Sequence, residues 1–511
     1  MTQQSTKPYT QSKPESEYEP HINTVLLSGG APNSPLMAGF LYALLEKDRM
    51  FSTYHTAGAG TLMALLCLAP KVDDTDPSGN GEDAVARFKR KGMRALQAWI
   101  DAGVSDDIYR FFPINFKLFH KPGPFAPMLN RLASRYKIDV DGNGESSADD
   151  PVKRLRGALL GKIFDTPDRR RVYNDLVELM FSAVTPSTLS PWSKGLAAHV
   201  PFLEDIVDFD RLRSDEVPVH LCVNAFNMAT GVMDIFHRER IDAAHIRAAF
   251  SMPFIYPPAQ IGTDYYSEGA DHEPINFQPL YDEREEAWDR EFGEEYQSDT
   301  AEIEAHEDVR EDITEELQEL YAEMETLRLE SISEDAEHEH YYETRFKVIE
   351  EKRAALEASH AELGQQLEQL SDEVDELRKT SKIRRIVLLD VMGSLDQYLV
   401  RPPRNLWDSY VISIMTPVVA LAKKQLQRFE AEQKVFFAEH GYQHFELIRV
   451  GFDIPSYAQP YVMDWSRSNL ATLFDVGVKE GQKFLAVYEQ KLPTIADVLA
   501  GKHAVPHDHH H

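Results

Sequence analysis

The N-terminal part of the chain alternates short apolar runs with helical patterns. The run His21–Ser28 is continuously apolar near its end and stops at Gly29-Gly30, which is typical of a buried strand. Residues 31–47 then repeat their apolar positions at helical spacing. The chain next repeats this order with a strand, a turn of small residues and an apolar helix: Phe51–His55, Thr56–Gly60 and Thr61–Leu68. Two strand–turn–helix units in succession predict an α/β fold with parallel strands.

The same pattern returns later in the chain. Four further apolar runs are predicted as strands, at Val217–Phe226, Gly231–His237, Lys382–Val391 and Phe445–Ile454. Two amphipathic segments are predicted as long helices, at Trp407–Glu439 and Leu470–Tyr488. The segment Ile108–Leu129 carries several phenylalanines among prolines, and predicts either a packed cap layer or the wall of an apolar pocket.

Between Glu283 and Thr380 the pattern changes to a heptad. This segment has no proline, and its apolar residues step by four and three on each side of the polar break Ser331–His340. We therefore predict an antiparallel coiled-coil hairpin inserted into the α/β core. A two-helix seam either closes on itself or serves as an arm that binds a partner or a second copy, and the pattern leaves both readings open.

These patterns divide the chain into five parts. We expect a disordered tail (1–21), a first core segment (22–282), the hairpin (283–380), a return to the core with a C-terminal helical extension (381–500), and a tail or tag remnant (501–511).

The charge and composition of the chain limit the classes of partner that it is expected to bind. The net charge is −30, and the hairpin holds 34 acidic and 10 basic residues, so most of the excess lies there. This acidity argues against a nucleic-acid partner. The chain has no apolar run long enough to span a membrane and no apolar signal segment at its start. Its two cysteines, Cys67 and Cys222, lie in apolar stretches and predict buried thiols of a cytoplasmic protein.

The turn Thr56–Gly60 is the candidate for chemistry. A sharp turn between a strand and a helix, with small residues around its centre, is the pattern of a nucleophile elbow. The central position holds Gly58, which has no side chain. The turn therefore predicts an enzyme-like fold without the expected nucleophile.

Three motifs in this order resemble the patatin-like phospholipase family. They are the loop Gly29-Gly30-Ala31-Pro32-Asn33-Ser34, the elbow with its following helix, and Ser251-Met252-Pro253 with Pro257-Pro258 and Glu268-Gly269-Ala270. The resemblance covers roughly residues 22–280 and 382–490. It implies a three-layer core, an oxyanion loop at Gly29, Gly30 and Ala31, and a Ser–Asp dyad that hydrolyses lipid esters.

This sequence departs from the family at both dyad positions. Gly58 stands where the family has the nucleophilic serine, and Glu268 where it has the aspartate. Loss of the nucleophile in a triad enzyme costs about six orders of magnitude in rate. We therefore expect a non-catalytic binding or scaffolding subunit that keeps an acyl or lipid-like ligand cleft and assembles through the hairpin, without a cofactor. The alternative is a lipid acyl hydrolase with a non-standard nucleophile, for which Ser28 and Ser34 are the candidates.

One acidic loop matches a calcium-binding pattern. Residues 139–150 place oxygen-bearing side chains at spacings close to those of a twelve-residue calcium loop: Asp139, Asp141, Asn143, Glu145 and Asp150. The last ligand position holds Asp150 instead of the usual glutamate, and Pro151 follows at once. A solvated acidic loop and a Ca²⁺ site therefore stand as alternatives.

Overall fold

The computed structural model describes residues 22–30, 33–71, 83–119, 126–137, 166–184, 195, 197–199, 202–291, 293–333, 339–380, 384–392, 402–403, 406–440, 445–455 and 464–502. The predicted tail at 1–21, most of the tail at 501–511 and the predicted calcium loop at 139–150 lie outside these ranges. Ala31 of the predicted oxyanion loop lies outside them as well.

The strands of the described chain form one sheet. They are β1 (Ile22–Leu27), β2 (Thr53–Thr56), β3 (His220–Asn227), β4 (Val232–His237), β5 (Ala259–Ile261), β6 (Asp264–Glu268), β7 (Arg384–Asp390) and β8 (Phe445–Gly451). The sheet order is β5-β6-β3-β2-β1-β7-β8, and β4 also pairs with β3. The pairs from β3 through β2, β1 and β7 to β8 are parallel, whereas β4, β5 and β6 join by antiparallel pairing.

The described helices follow one another in the chain order that the sequence indicates. They are α1 (Ser34–Glu46), α2 (Ala59–Leu68), α3 (Ala84–Ala98), α4 (Asp106–Phe111), α5 (Ala126–Tyr136), α6 (Pro167–Val184), α7 (Leu203–Ile206), α8 (Phe209–Arg213), α9 (Ala243–Ala249), α10 (Gln278–Glu291), α11 (Gly293–Ser333), α12 (Glu339–Thr380), α13 (Leu406–His440), α14 (Arg467–Tyr488) and α15 (Ile495–Leu499). None of the described helices is long and apolar enough to cross a membrane.

The predicted fold class is confirmed at this level: the protein is mixed α/β with a central, mostly parallel sheet. The element boundaries differ from the predicted ones by a few residues. Strand β2 runs over Thr53–Thr56 instead of Phe51–His55, and α2 begins at Ala59 instead of Thr61. The turn between them is therefore shorter than the five residues that composition suggests, because two of the small residues already belong to the helix.

The described chain divides into two compact units. One combines the described parts of Met1–Pro279, Ile383–Gln433 and Phe445–His511, and it contains the whole sheet. The other combines Leu280–Lys382 with the described part of Lys434–His444. The predicted phenylalanine-rich segment lies in the first unit and has two environments: Phe116 is buried, whereas Phe111 is exposed.

In the second unit, α11 and α12 pack side by side in opposite directions. Their shared core contains residues of the predicted heptad pattern: Leu320, Leu327 and Ile349 are buried, with Met324, Tyr342, Phe346 and Leu356 against them. Ion pairs flank this core, since Nζ of Lys352 lies 2.6 Å from Glu316 and Arg345 lies 2.9 Å from Glu323. Because residue numbers rise on one helix as they fall on the other in these pairs, the two helices are antiparallel.

Candidate functional site

The turn between β2 and α2 keeps the backbone shape of a nucleophile elbow. Gly58, the N-cap of α2, has φ 44° and ψ −126°. These angles are close to those of the first central residue of a type II′ turn, a positive-φ conformation that glycine adopts without the cost to other residues. The hydroxyls of Thr56 and Thr61 lie 2.9 Å apart across the turn. The elbow is present as a turn, and its apex carries no side chain.

Close approach to β1 fixes the elbow in place. The N–H of Ala57 donates to the carbonyl of Leu27 over 3.0 Å, at the end of β1. A β-carbon at Gly60 would overlap that same carbonyl, so only glycine lets α2 start this close to the strand. The small residues of the turn therefore have a packing reason that is independent of catalysis.

Sheet topology brings Glu268 to the elbow. Strand β2 pairs with β3 over His220–Val223, and β4 occupies the other edge of β3 from Cys222 onwards. Strand β6 therefore pairs with β3 on the β2 side, just beyond the point where β2 ends, and Glu268 lies opposite Ala225 there. A β-carbon at Gly58 would overlap Oε1 of Glu268 and lie 3.0 Å from the β-carbon of Ala270. The carboxylate thus takes up the space that a side chain at residue 58 would need.

The carboxyl group of Glu268 is held in a poorly solvated environment. Burial, and next the negative charge of Asp271, raise its pKa well above the usual value for glutamate. Burial likewise raises the pKa of Asp271 to about 6. Burial, followed by the charge of Glu268, raises the pKa of the Tyr256 hydroxyl. Glu268 and Asp271 therefore form a coupled carboxyl pair at the elbow, and this pair favours holding a proton.

Sequence reasoning missed Asp271. It lies three residues after Glu268, beyond the motif that draws attention to Glu268, and nothing in its sequence neighbourhood marks it. Its Oδ2 is buried without a hydrogen-bond partner among the described residues. Only the fold, which brings Ala270 of the segment Gly269–Asp271 against Gly58, makes this carboxyl part of the site.

The glycine-rich loop lies beside the elbow in part. A β-carbon at Gly29 would lie 2.6 Å from that of Ala270, so the loop packs against the residues that follow Glu268. The N–H of Gly29 already donates to the carbonyl of Pro274 over 3.1 Å, and Gly30 has φ +116°. The N–H of Ala59, at the start of α2, has no acceptor among the described residues. The predicted oxyanion donor Gly29 is therefore already engaged in a structural bond.

Ser28 and Ser34 are buried in structural hydrogen bonds. The hydroxyl of Ser28 donates to the carbonyl of Leu389 over 3.3 Å, which links the ends of β1 and β7. The hydroxyl oxygen of Ser34 accepts a hydrogen bond of 2.8 Å from the indole N–H of Trp99. These contacts give both serines a packing role.

A cavity of about 770 Å³ lies apart from the elbow in the first unit. Its walls include the apolar residues Leu66, Trp99 and Leu118, with Lys117 and Arg171 among the charged groups. Lys117 is paired with the buried carboxylate of Asp175 at 2.8 Å. Neither Gly58 nor Glu268 lines this cavity.

Replacing Glu268 with glutamine should change the pH dependence of stability. Glu268 and Asp271 have raised pKa values in the folded protein, so their protonated forms support the fold most below pH about 4. That support is lost as pH rises through the folded pKa values, one of which is about 6. Glutamine keeps the shape without the charge, so Glu268→Gln should gain stability over the wild type at pH 8 and little at pH 4.

Thermal unfolding of both proteins from pH 4 to pH 8 measures this difference. The matched control is Glu46→Gln, the same exchange at an exposed glutamate. A Glu268→Gln curve parallel to the wild-type curve over the whole range would show that the carboxyl is not desolvated.

Comparison with known proteins gives a distant likeness. No protein-family model and no curated protein matches the chain. Among solved structures, the crystal structure of VipD from Legionella pneumophila is similar at 15% identity with a TM-score of 0.21. The match covers 52% of this chain and 51% of that chain, so it spans about half of either protein. A likeness at this level assigns neither a family nor a function.

Proposed function

We propose that the chain is a patatin-like protein without hydrolytic activity, which serves as a binding or scaffolding subunit. The observation that carries this proposal is the carboxylate of Glu268 at the apex of the elbow, next to Gly58. An ester hydrolase of this type needs a nucleophile at that point, with room for an acyl carbon beside it. Here the nucleophile is missing and the carboxyl group of Glu268 occupies its place.

The loop and the neighbouring serines support the same reading. Oxyanion stabilisation needs backbone N–H groups that point at the developing charge and are not already bonded. Gly29 donates to Pro274 instead, and Ser28 and Ser34 are each engaged in a packing bond. These polar groups serve the packing of the fold, whereas the N–H of Ala59 at the elbow has no acceptor among the described residues.

For the ligand, the cavity away from the elbow is the better candidate. Its walls combine apolar residues such as Leu66 and Trp99 with eight charged ones, a lining that suits an acyl chain with a charged or polar head. A ligand in this cavity would not contact Glu268, which fits a subunit that binds its ligand without reacting with it.

For assembly, the antiparallel helices α11 and α12 form a coiled-coil arm. Their shared core is apolar, but Tyr341 and Val348 remain exposed on α12, 55% and 59% respectively. Residues seven apart lie on one face of a helix, so these two side chains form a small apolar stripe outside the core. A second copy of the chain would cover this stripe.

A second candidate function rests on the carboxyl pair. Two neighbouring carboxyls with raised pKa values resemble the acid and base pairs that activate water in hydrolysis. Whichever of the two is deprotonated would then act as a general base for a lipid ester hydrolase without a covalent intermediate.

One experiment on the purified full chain tests both halves of the leading proposal. A serine-directed fluorophosphonate should leave the wild type unlabelled, and an acyl ester substrate should be hydrolysed no faster than by Glu268→Gln. Light scattering should give a dimer for the wild type and a monomer for Val348→Glu. The control Gln366→Glu adds the same charge at another exposed site of α12 and should remain a dimer.

The outcomes separate the two candidates. Stoichiometric labelling would reinstate a serine nucleophile, and ester hydrolysis that Glu268→Gln abolishes would establish the carboxyl mechanism. A monomeric wild type would remove the assembly role from α12.

A further inference from the structure

Three adjacent strands of the sheet place metal-binding side chains in one row. His55 on β2 lies directly opposite Cys222 on β3, and Cys222 lies directly opposite His237 on β4. Directly paired residues of neighbouring strands project from the same face of a sheet. His220 precedes Cys222 by two residues on β3, so it projects from that face as well. One thiol therefore stands among three imidazoles.

Two sulfur–nitrogen distances within this group match those of a metal centre. Sγ of Cys222 lies 3.7 Å from Nε2 of His220 and 3.6 Å from Nδ1 of His237. Ligand atoms of His55, His220 and Cys222 all lie within 4.8 Å of one another. Tetrahedral zinc, with bonds of about 2.3 Å to sulfur and about 2.0 Å to nitrogen, holds these atoms roughly 3.6 Å apart. The two sulfur–nitrogen contacts therefore already have the required length, and the His55 nitrogen lies within 4.8 Å of the ligand atoms of His220 and Cys222.

Burial decreases steadily along the row. His55 and Cys222 are buried, His220 is half-buried and His237 is exposed at the end of β4. An ion could therefore enter from the solvent on the His237 side and reach a thiol that is shielded from other reactions.

The donor set selects the kind of ion. A thiolate with imidazoles suits Zn²⁺ and related soft or borderline transition metals, whereas Ca²⁺ and Mg²⁺ take oxygen ligands. We propose that Cys222, His55, His220 and His237 bind one Zn²⁺ ion. Four protein ligands close the coordination sphere, which is typical of a structural site. Binding releases the thiol proton of Cys222 to the solvent and ties β2, β3 and β4 together just before the elbow.

Cobalt substitution tests this site in the full chain. Co²⁺ takes the place of Zn²⁺ and gives a thiolate-to-cobalt charge-transfer absorption only where a cysteine is a ligand. We expect one Co²⁺ with this absorption per wild-type chain, its displacement by Zn²⁺, and complete loss of the absorption in Cys222→Ser. The histidine-rich end His507–His511 has no thiol and cannot produce the signal.

The chain supplies a matched control, because its other cysteine, Cys67, is also buried and forms no disulfide. Cys67→Ser should keep the absorption, since Cys67 lies on α2 and outside the row. His237→Ala removes an exposed ligand without disturbing the core, and should weaken Zn²⁺ binding by at least about tenfold. Circular dichroism of each variant establishes that it is folded.

The proposal fails under clear conditions. It is wrong if the wild type gives no thiolate absorption with Co²⁺, or if the absorption persists in Cys222→Ser. An unchanged affinity in His237→Ala contradicts the four-ligand set. Sulfur–imidazole hydrogen bonds would then be sufficient to explain the row.

Discussion

Replacing Gly477 with alanine should destabilise the protein by about 3 kcal/mol or more. Gly477 lies where α14 crosses α1, and a β-carbon there would overlap the carbonyl of Leu36 and lie 3.0 Å from the N–H nitrogen of Phe40. Overpacking a core by one methyl group typically costs about 1–3 kcal/mol. The obstacle here is backbone on both sides, which cannot turn aside as a side chain can, so the cost should reach the upper end or exceed it.

The reciprocal contact strengthens this expectation. A β-carbon at Gly39 on α1 would overlap the carbonyl of Phe474 and lie 2.8 Å from the nitrogen of Val478. Each helix therefore presents a glycine to the backbone of the other. Once one alanine has pushed the helices apart, the second has more room, so the double variant should lose less stability than the sum of the two single losses.

Thermal and urea unfolding measure these changes. The matched control is Gly364→Ala on α12, where nothing lies within 4 Å of the position of a new β-carbon. Alanine favours a helix by about 1 kcal/mol over glycine, so this variant should be slightly stabilised. An unfolding midpoint for Gly477→Ala at or above that of the wild type would mean that α1 and α14 do not meet at these glycines.

The class of fold follows from local pattern, because strands and helices each carry their own periodicity. The apolar runs at β1, β7 and β8 and the heptad residues Leu320 and Leu327 are visible without a structure. The order of the strands in the sheet, by contrast, does not follow from local sequence patterns. Strand β7 lies next to β1 although 356 residues separate them, and no local signal encodes that pairing.

The residues of the candidate site also fall into those that local sequence indicates and those that only the fold brings together. The elbow is a local motif, and Gly58 is evident from the turn alone. The place of Glu268 beside it follows only from a resemblance, because the contact depends on β6 continuing the edge of β3 that β2 leaves open. The role of these residues stays a prediction. Asp271 needs the fold, since its importance comes from burial next to a second carboxyl.

The row of metal-binding side chains could not be found from spacing. His220 and Cys222 form an ordinary two-residue interval on a strand, and His55 and His237 lie in other segments. They become neighbours only through strand register, and a shift of one residue in either pairing would move a ligand to the opposite face.

Serine at position 58 should be unfavourable on its own and should become acceptable when Glu268 is shortened. In Gly58→Ser, the new β-carbon overlaps Oε1 of Glu268. The serine must also adopt the positive φ of 44° that Gly58 has. A non-glycine residue in a rarely populated conformation costs on the order of 1–3 kcal/mol, and the clash adds to this. Glu268→Asp withdraws the carboxyl by one methylene. The double variant Gly58→Ser/Glu268→Asp should therefore be more stable than Gly58→Ser alone, with a coupling energy of about 1–3 kcal/mol.

The same pair of variants examines whether the elbow has kept its chemistry. Serine next to aspartate recreates the dyad that the patatin resemblance implies, on a turn whose backbone already has the required shape. A serine-directed fluorophosphonate should label the double variant and leave the wild type and Glu268→Asp unlabelled, because only the double variant has a hydroxyl at the apex with space around it.

Urea unfolding gives the coupling energy. If Gly58→Ser is as stable as the wild type, the carboxylate of Glu268 does not occupy the apex of the elbow. The proposal that the chain has no hydrolytic activity is then without its main support. If the coupling energy appears without labelling, the oxyanion loop has lost its function too, because the N–H of Gly29 is bonded to the carbonyl of Pro274.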